Sequence, residues 1–137
     1  MRTAAIPLAA LACILLAGCV QSVAVETVRG VPDGHESAFD MLDPEPFATW
    51  LDDRDRFTVV TFGSSSCAPV PTSVEATDAT TIAVTFVPAS AQVCTADIAA
   101  TTHIFSTPDG VDATAAVTVD VLIDDTTDDE FSLPLLD

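Results

Sequence analysis

Three consecutive serines, Ser64, Ser65 and Ser66, lie between Gly63 and Cys67 and are the residues best suited to nucleophilic chemistry. A serine nucleophile needs a base within hydrogen-bond reach and a group that orients that base. The segment has no G-x-S-x-G motif and sits in no strand-turn-helix context, so a small hydrolase remains an alternative without a catalytic assignment. The interpretation we favour is a rigid loop, in which Gly63 permits a tight exit from a strand and Pro69 stiffens the chain. Gly63, Ser64, Ser65, Ser66 and Pro69 form a possible binding loop.

The two histidines do not stand beside this loop in the sequence. His35 is expected to be exposed in a linker, and His103 is expected to be a structural histidine on a strand face with Thr101 and Phe105. No catalytic residue, metal ligand or cofactor is assigned.

Residues 1–19 have the composition of an export signal. Arg2 precedes an uncharged apolar run, which ends in Leu16-Ala17-Gly18-Cys19. A positive start, a short apolar region and small residues before a cleavage site are typical of a secretory signal. The last four residues resemble the lipobox of bacterial lipoproteins. The resemblance implies cleavage after Gly18, acylation of Cys19, and a lipid anchor at the extracytoplasmic face of the bacterial cell membrane.

Cysteine usage agrees with an exported protein. If Cys13 leaves with the signal and Cys19 carries lipid, Cys67 and Cys94 remain, and one intramolecular disulfide is available to them. A bridge closing a loop of about 28 residues is worth about 3–4 kcal/mol in the chain-entropy model. A metal or redox pair is disfavoured because no C-x-x-C spacing is present and neither cysteine has a histidine nearby in the sequence.

Charge narrows the choice of partners. All 21 acidic residues follow Cys19, whereas that part of the chain has three arginines and no lysine. This balance argues against nucleic acid and against anionic lipid, and it is also typical of GC-rich or salt-adapted genomes. Two acidic clusters offer oxygen ligands for Ca²⁺ but lack the glycine of an EF-hand loop; they are Asp52-Asp53-Asp55 and Asp124-Asp125-Asp128-Asp129-Glu130. A cation-binding or ligand-capturing accessory protein is therefore an alternative.

The elements that must position these residues are mostly strands. We expect a tether over residues 19–42, in which a short strand at Ser22–Val28 stays open, and then a β domain over residues 43–123. A short helix is predicted after Asp43-Pro44, with Phe47, Trp50 and Leu51 on one stripe. Period-2 patterns predict about five strands, hence a small antiparallel β-sandwich or open barrel with one disulfide; these are 57–62, 70–76, 80–87, 101–107 and 111–123. Residues 124–137 are expected to be an acidic tail, mobile or ending in an edge strand at Pro134.

Thr61 to Pro69 resembles a Thr-aromatic-Gly-Ser-Ser-Ser-Cys-x-Pro stretch of small lipoproteins of high-GC Gram-positive bacteria. The resemblance covers nine residues and implies no particular activity. The sequence thus predicts a lipid-anchored, non-catalytic binding or structural module. Its partner would be an extracytoplasmic protein or a small ligand.

Overall fold

The computed structural model describes residues 22–36, 44–51, 54–90, 93–123 and 129–137. Across them the chain forms one curled, mixed sheet of eight strands, a half-barrel with the order β1-β6-β3-β2-β8-β7-β5-β4. The strands are β1 (Glu26–Arg29), β2 (Phe47–Trp50), β3 (Arg56–Gly63), β4 (Val70–Asp78), β5 (Thr81–Val87), β6 (Ala99–Ser106), β7 (Thr118–Ile123) and β8 (Asp129–Leu136). Within the described ranges no helix is long and apolar enough to cross a membrane.

The core lies inside the curl, between the two halves of the sheet. Alternating residues of β5 and β7 are buried there, as the period-2 patterns of 80–87 and 111–123 predict; they are Ile82, Val84, Phe86, Val119 and Val121. They meet a group of rings from the other half, in which Phe57 stacks on Phe105 with ring centroids 5.2 Å apart. Burial of these rings supplies much of the hydrophobic stabilisation of a domain of this size.

The predicted short helix is wrong. Phe47–Trp50 is a strand in which all four residues are buried. Phe47, Trp50 and Leu51 fit a helical stripe, but a strand buried on both faces is equally apolar, and spacing alone does not separate the two. The strand is selected by partners remote in sequence, because β2 pairs antiparallel with β3 and parallel with β8.

The strand count and the purely antiparallel arrangement also need correction. The sheet has eight strands instead of about five. Two neighbouring pairs are parallel, β2 with β8 and β5 with β7. Parallel neighbours require long connections, so local turn signals do not reveal them.

The alternating segment 111–123 is a strand only over Thr118–Ile123. Its first half is turned by Asp112, whose carboxylate accepts hydrogen bonds from the backbone N–H and the hydroxyl of Thr114. Such a local bond offers the backbone an alternative to the ladder.

The C-terminal strand is internal, not an edge. β8 lies between β2 and β7, and Pro134 pairs with Thr118 of β7. On its other side the pairing with β2 begins at Leu135, one residue past the proline. The missing N–H of Pro134 therefore falls where the β2 ladder has not started.

Part of the predicted tether belongs to the sheet. β1 pairs with β6 over Glu26–Arg29, which overlaps the short strand considered at Ser22–Val28 but begins four residues later and ends one residue later. Just before it, the N–H of Val23 donates to the carbonyl of Pro71 in β4 at 3.0 Å. Since β1 and β4 are the two ends of the strand order, this bond spans the open side of the half-barrel.

Candidate functional site

A disulfide joins Cys67, in the β3–β4 loop, to Cys94, in the β5–β6 loop, as the cysteine count predicts. The two Cα atoms are 5.6 Å apart and 27 positions separate the residues. Gly63, the last residue of β3, pairs with Ala99, the first residue of β6. The ladder thus brings both loops to one end of these strands, and the disulfide locks them together.

Beside the disulfide, hydroxyl groups from the two loops converge on Thr95. We call the side chains of Ser64, Ser65, Ser66, Thr95 and Asp97 the hydroxyl cluster. The Thr95 Oγ1 atom lies 2.8 Å from Ser64 Oγ, 3.3 Å from Ser65 Oγ and 3.2 Å from Ser66 Oγ. The Thr95 N–H in turn donates to Ser66 Oγ at 3.0 Å. The serine loop is therefore held by the Cys94 loop through both side-chain and backbone bonds.

Asp97 supplies the negative charge of the cluster. Its Oδ1 atom accepts from the Ser65 N–H at 3.2 Å and from the Thr95 hydroxyl. Side-chain hydrogen bonds from Ser65 and Thr95, together with the Ser65 N–H, lower the pKa of Asp97 to about 2. The carboxylate is ionised at any physiological pH, and such a weak base does not activate a hydroxyl near neutrality.

The cluster is half-buried at Ser64 and Ser65, is exposed at Ser66, Thr95 and Asp97, and has apolar neighbours. Val93 and Ile98 flank it on the same loop and are 86% and 68% exposed. Hydroxyls, a fixed carboxylate and two apolar side chains together suit a partner with hydrogen-bond donors beside an apolar group. The φ angle of Gly63 is not positive, and there is open space where a Cβ atom would lie. The expected tight exit of the chain at this residue therefore does not require glycine.

His103 is a structural histidine, as its strand position predicts. It is 1% exposed, with Nδ1 3.4 Å from Thr27 Oγ1 and Nε2 3.3 Å from Thr61 Oγ1. Its ring meets Phe86 edge-on, with centroids 5.0 Å apart. Burial lowers the pKa of His103 to about 4. His103 pairs with Val59, which lies four residues before Gly63 on β3. The structure therefore does not bring the imidazole ring to the serines.

His35 packs on the domain, contrary to the expected exposure. Its Nε2 atom lies 3.2 Å from Thr49 Oγ1, and its ring faces Phe47. It borders a cleft of about 250 Å³ with Trp50, Leu51, Arg54 and Asp137.

Arg54 closes this cleft. Its guanidinium donates to the Ala113 carbonyl at 2.7 Å and pairs with the Asp137 carboxylate. The same group lies 5.9 Å from the Trp50 ring centroid. These contacts tie the end of β8 to the β2–β3 connection, which makes the cleft a structural junction.

Some of the predicted site residues fall in parts of the chain that the structure does not describe. Cys19 lies outside the described residues, and so do Asp52, Asp53 and residues 124–128 of the acidic clusters. In the part of the chain that is described, no three His, Cys, Asp or Glu side chains converge as metal ligands would.

Thr95 and Asp97 are site residues that the sequence pattern did not single out. The signal was the disulfide itself, because a Cys67–Cys94 bridge necessarily carries Thr95 to the serine loop. Neither residue type is distinctive alone, and only their convergence makes them part of a site.

No protein-family model, no curated protein and no solved structure matches this chain.

Proposed function

We propose that the protein is a lipoprotein, anchored through acylated Cys19 at the extracytoplasmic face of the bacterial membrane, whose β domain binds a partner through the hydroxyl cluster. The observation that carries the binding role is the cross-linked pair of loops, in which Thr95 contacts all three serines beside the Cys67–Cys94 bridge. The partner is an extracytoplasmic protein or a small ligand.

Export is supported by the disulfide. Structural disulfides persist in oxidising compartments and are rare in the cytosol. Of the four cysteines of the chain, two form this bridge, and the other two lie in the segment with the composition of a signal. This distribution agrees with a lipidated, exported protein.

Binding is supported by preorganisation. The bridge and the bonds to Thr95 fix loops that would otherwise lose conformational freedom on meeting a partner, which lowers the entropic cost of association. Val93 and Ile98 provide exposed apolar area next to the polar groups. Interfaces commonly combine an apolar centre with a polar rim of this kind.

The partner chemistry follows from the charge of Asp97. A carboxylate that already accepts bonds from Ser65 and Thr95 retains unused lone pairs, which attract amide or cationic donors. Nucleic acid is disfavoured because the sequence has only four basic residues against 21 acidic ones.

The anchor is tested by Cys19→Ser. We expect the wild-type chain to fractionate with membranes and to carry acyl mass on Cys19, and the variant to appear in the soluble fraction. A variant that stays membrane-bound, uncleaved and at unchanged mass contradicts the lipoprotein assignment.

The binding role is tested by photo-cross-linking on intact cells, with the photoreactive residue in place of Ile98. The matched control carries it in place of Thr77, an exposed position on β4. We expect a reproducible adduct from position 98 that Asp97→Asn weakens. Asp112→Asn should leave it unchanged, because Asp112 makes a similar local bond to Thr114 elsewhere. An adduct equally strong from position 77 contradicts the assignment of the binding face.

A further inference from the structure

Three exposed valines fall close together in the sequence at the start of the described chain, in a segment where Glu26 and Arg29 are exposed as well. Val23, Val25 and Val28 are 40%, 62% and 38% exposed. They are three of the seven large apolar side chains exposed in the described residues, and they fall within six positions. Clustered exposed apolar side chains indicate an interaction surface, whereas scattered ones need no explanation.

The segment that carries these valines is fixed to the domain. The N–H of Val25 donates to the Ile104 carbonyl at 2.8 Å, and the N–H of Val23 donates to the Pro71 carbonyl at 3.0 Å. Ala24, between them, packs against the core. The chain is therefore held from Val23 onward and does not act as a flexible tether there.

Chain length limits how far this segment lies from the anchor. Val23 is four residues after Cys19, and four extended residues span at most about 14 Å. The radius of gyration of a domain of this size is about 13 Å. Such a connection is shorter than the width of the domain, so the part of the domain around Val23 must stay beside the anchored residue.

We propose that the edge formed by Val23, Val25 and Val28 lies on the surface of the lipid bilayer that holds acylated Cys19. The proposal rests on the lipid anchor of the proposed function. The valines bury apolar area at the boundary between headgroups and acyl chains, and the strength of such binding increases with the apolar area buried.

This contact also sets the orientation of the domain. The bond between Val23 and Pro71 spans the open side between β1 and β4. β2 and β8, the two central strands of the order, lie across from that side. They therefore point away from the membrane. The net charge of −17 argues against attraction by anionic headgroups, so the contact depends on the short connection and the apolar side chains.

The test uses the acylated mature protein, which begins at Cys19, in phosphatidylcholine vesicles that carry a nitroxide on part of their headgroups. The reporter is tryptophan fluorescence in Val25→Trp, and the matched control is Leu136→Trp, since Leu136 is 42% exposed on β8. The native Trp50, which is 7% exposed, is present in both variants, and its signal is subtracted with the wild type. We expect the nitroxide to quench Val25→Trp about threefold more strongly than Leu136→Trp, because the connection holds the first position at the surface.

Equal quenching of the two variants, or stronger quenching of Leu136→Trp, overturns the proposed orientation. Quenching of Val25→Trp no greater than that of the wild type also overturns it, as it would if a strand of another protein covered this edge. Mass spectrometry of the same preparation separates this proposal from the anchor. A chain without acyl groups on Cys19 overturns both, whereas an acylated chain with unquenched Val25→Trp overturns only the surface contact.

Discussion

The hydroxyl oxygen of Thr95 lies 2.8 Å from that of Ser64, although 31 positions separate the two residues. The contact exists because Thr95 follows Cys94 directly and Ser64 precedes Cys67 by three residues, so the disulfide joins their loops. Together with the β3–β6 ladder, which ends at the Gly63–Ala99 pair, this one covalent bond positions the polar surface that we assign to binding. Its removal should affect both the stability of the domain and the order of that surface.

The first prediction concerns this bridge. The double variant Cys67→Ser, Cys94→Ser should lose about 3–4 kcal/mol of unfolding free energy, because the unfolded chain is no longer constrained over the 27-residue separation. Urea unfolding of the variant and of the oxidised wild type measures the difference. Wild-type protein treated with a reductant should match the variant. An unchanged midpoint in both would contradict a stabilising role for the bridge.

The second prediction concerns His103. Its pKa of about 4 lies below the ordinary value of 6.5, so the unfolded state binds its proton first as the pH falls. The contribution of the neutral His103 to the free energy of unfolding is therefore complete above pH 6.5, and it is lost as the pH falls from about 6.5 to 4. The size of the shift corresponds to a loss of about 3 kcal/mol.

Urea unfolding at pH 7, 5.5 and 4 checks this expectation with His103→Gln, which keeps polar atoms in the site but does not titrate. The variant should be less stable than the wild type at pH 7, because contact with Phe86 is lost, but should fall less steeply with acid. His35→Gln is the control for the other histidine. Parallel pH dependence of the wild type and His103→Gln would show that His103 is not the group responsible.

The third prediction isolates the backbone of Arg54, whose φ of 55° is the only positive value at a non-glycine residue in the described chain. Arg54→Gly and Arg54→Ala remove the same contacts to Ala113 and Asp137. They differ in that alanine has a Cβ atom, which makes the left-handed conformation unfavourable, whereas glycine has none. We expect Arg54→Gly to be more stable than Arg54→Ala by about 1 kcal/mol, measured by urea unfolding. The reverse order would mean that this residue does not hold a left-handed conformation.

The local sequence pattern was sufficient to predict some of the strands. The strands around Phe57–Phe62 and Thr80–Val87 are visible in the sequence, because β-branched and aromatic residues continue or alternate over their whole length. The position of His103 on a strand face and the pairing of the two cysteines also follow from short-range reasoning. Each of these depends on the residue itself and its neighbours along the chain.

Long-range pairing was not accessible in this way. Whether Phe47–Trp50 is a helix or a strand is decided by β3 and by β8, which lies more than 80 positions later in the chain. The same holds for Pro134, which marks an edge by its chemistry but lies in an internal strand. Thr95 and Asp97 are not recognisable in the sequence for a related reason, since the β3–β6 ladder and the disulfide, both long-range, bring them to the serines.

The fourth prediction tests the strand assignment of β2 directly. Ala48 is fully buried and pairs with Val59 on one side and Leu135 on the other. In the helix that the sequence pattern favours, Ala48 would lie off the apolar stripe, and a charged side chain would be tolerated there. In the strand, Ala48→Glu places a carboxylate in the core between two paired neighbours. An unpaired buried charge costs several kcal/mol, which is a large share of the stability of a small domain.

We therefore expect Ala48→Glu to unfold the domain or to lower its thermal midpoint by more than 10 °C, about what 3 kcal/mol gives at this size. Ala116→Glu is the matched control, because Ala116 is exposed in the loop before β7 and should accept the same side chain with little change. If the two variants melt at the same temperature, Ala48 is not buried and β2 does not occupy the centre of the sheet.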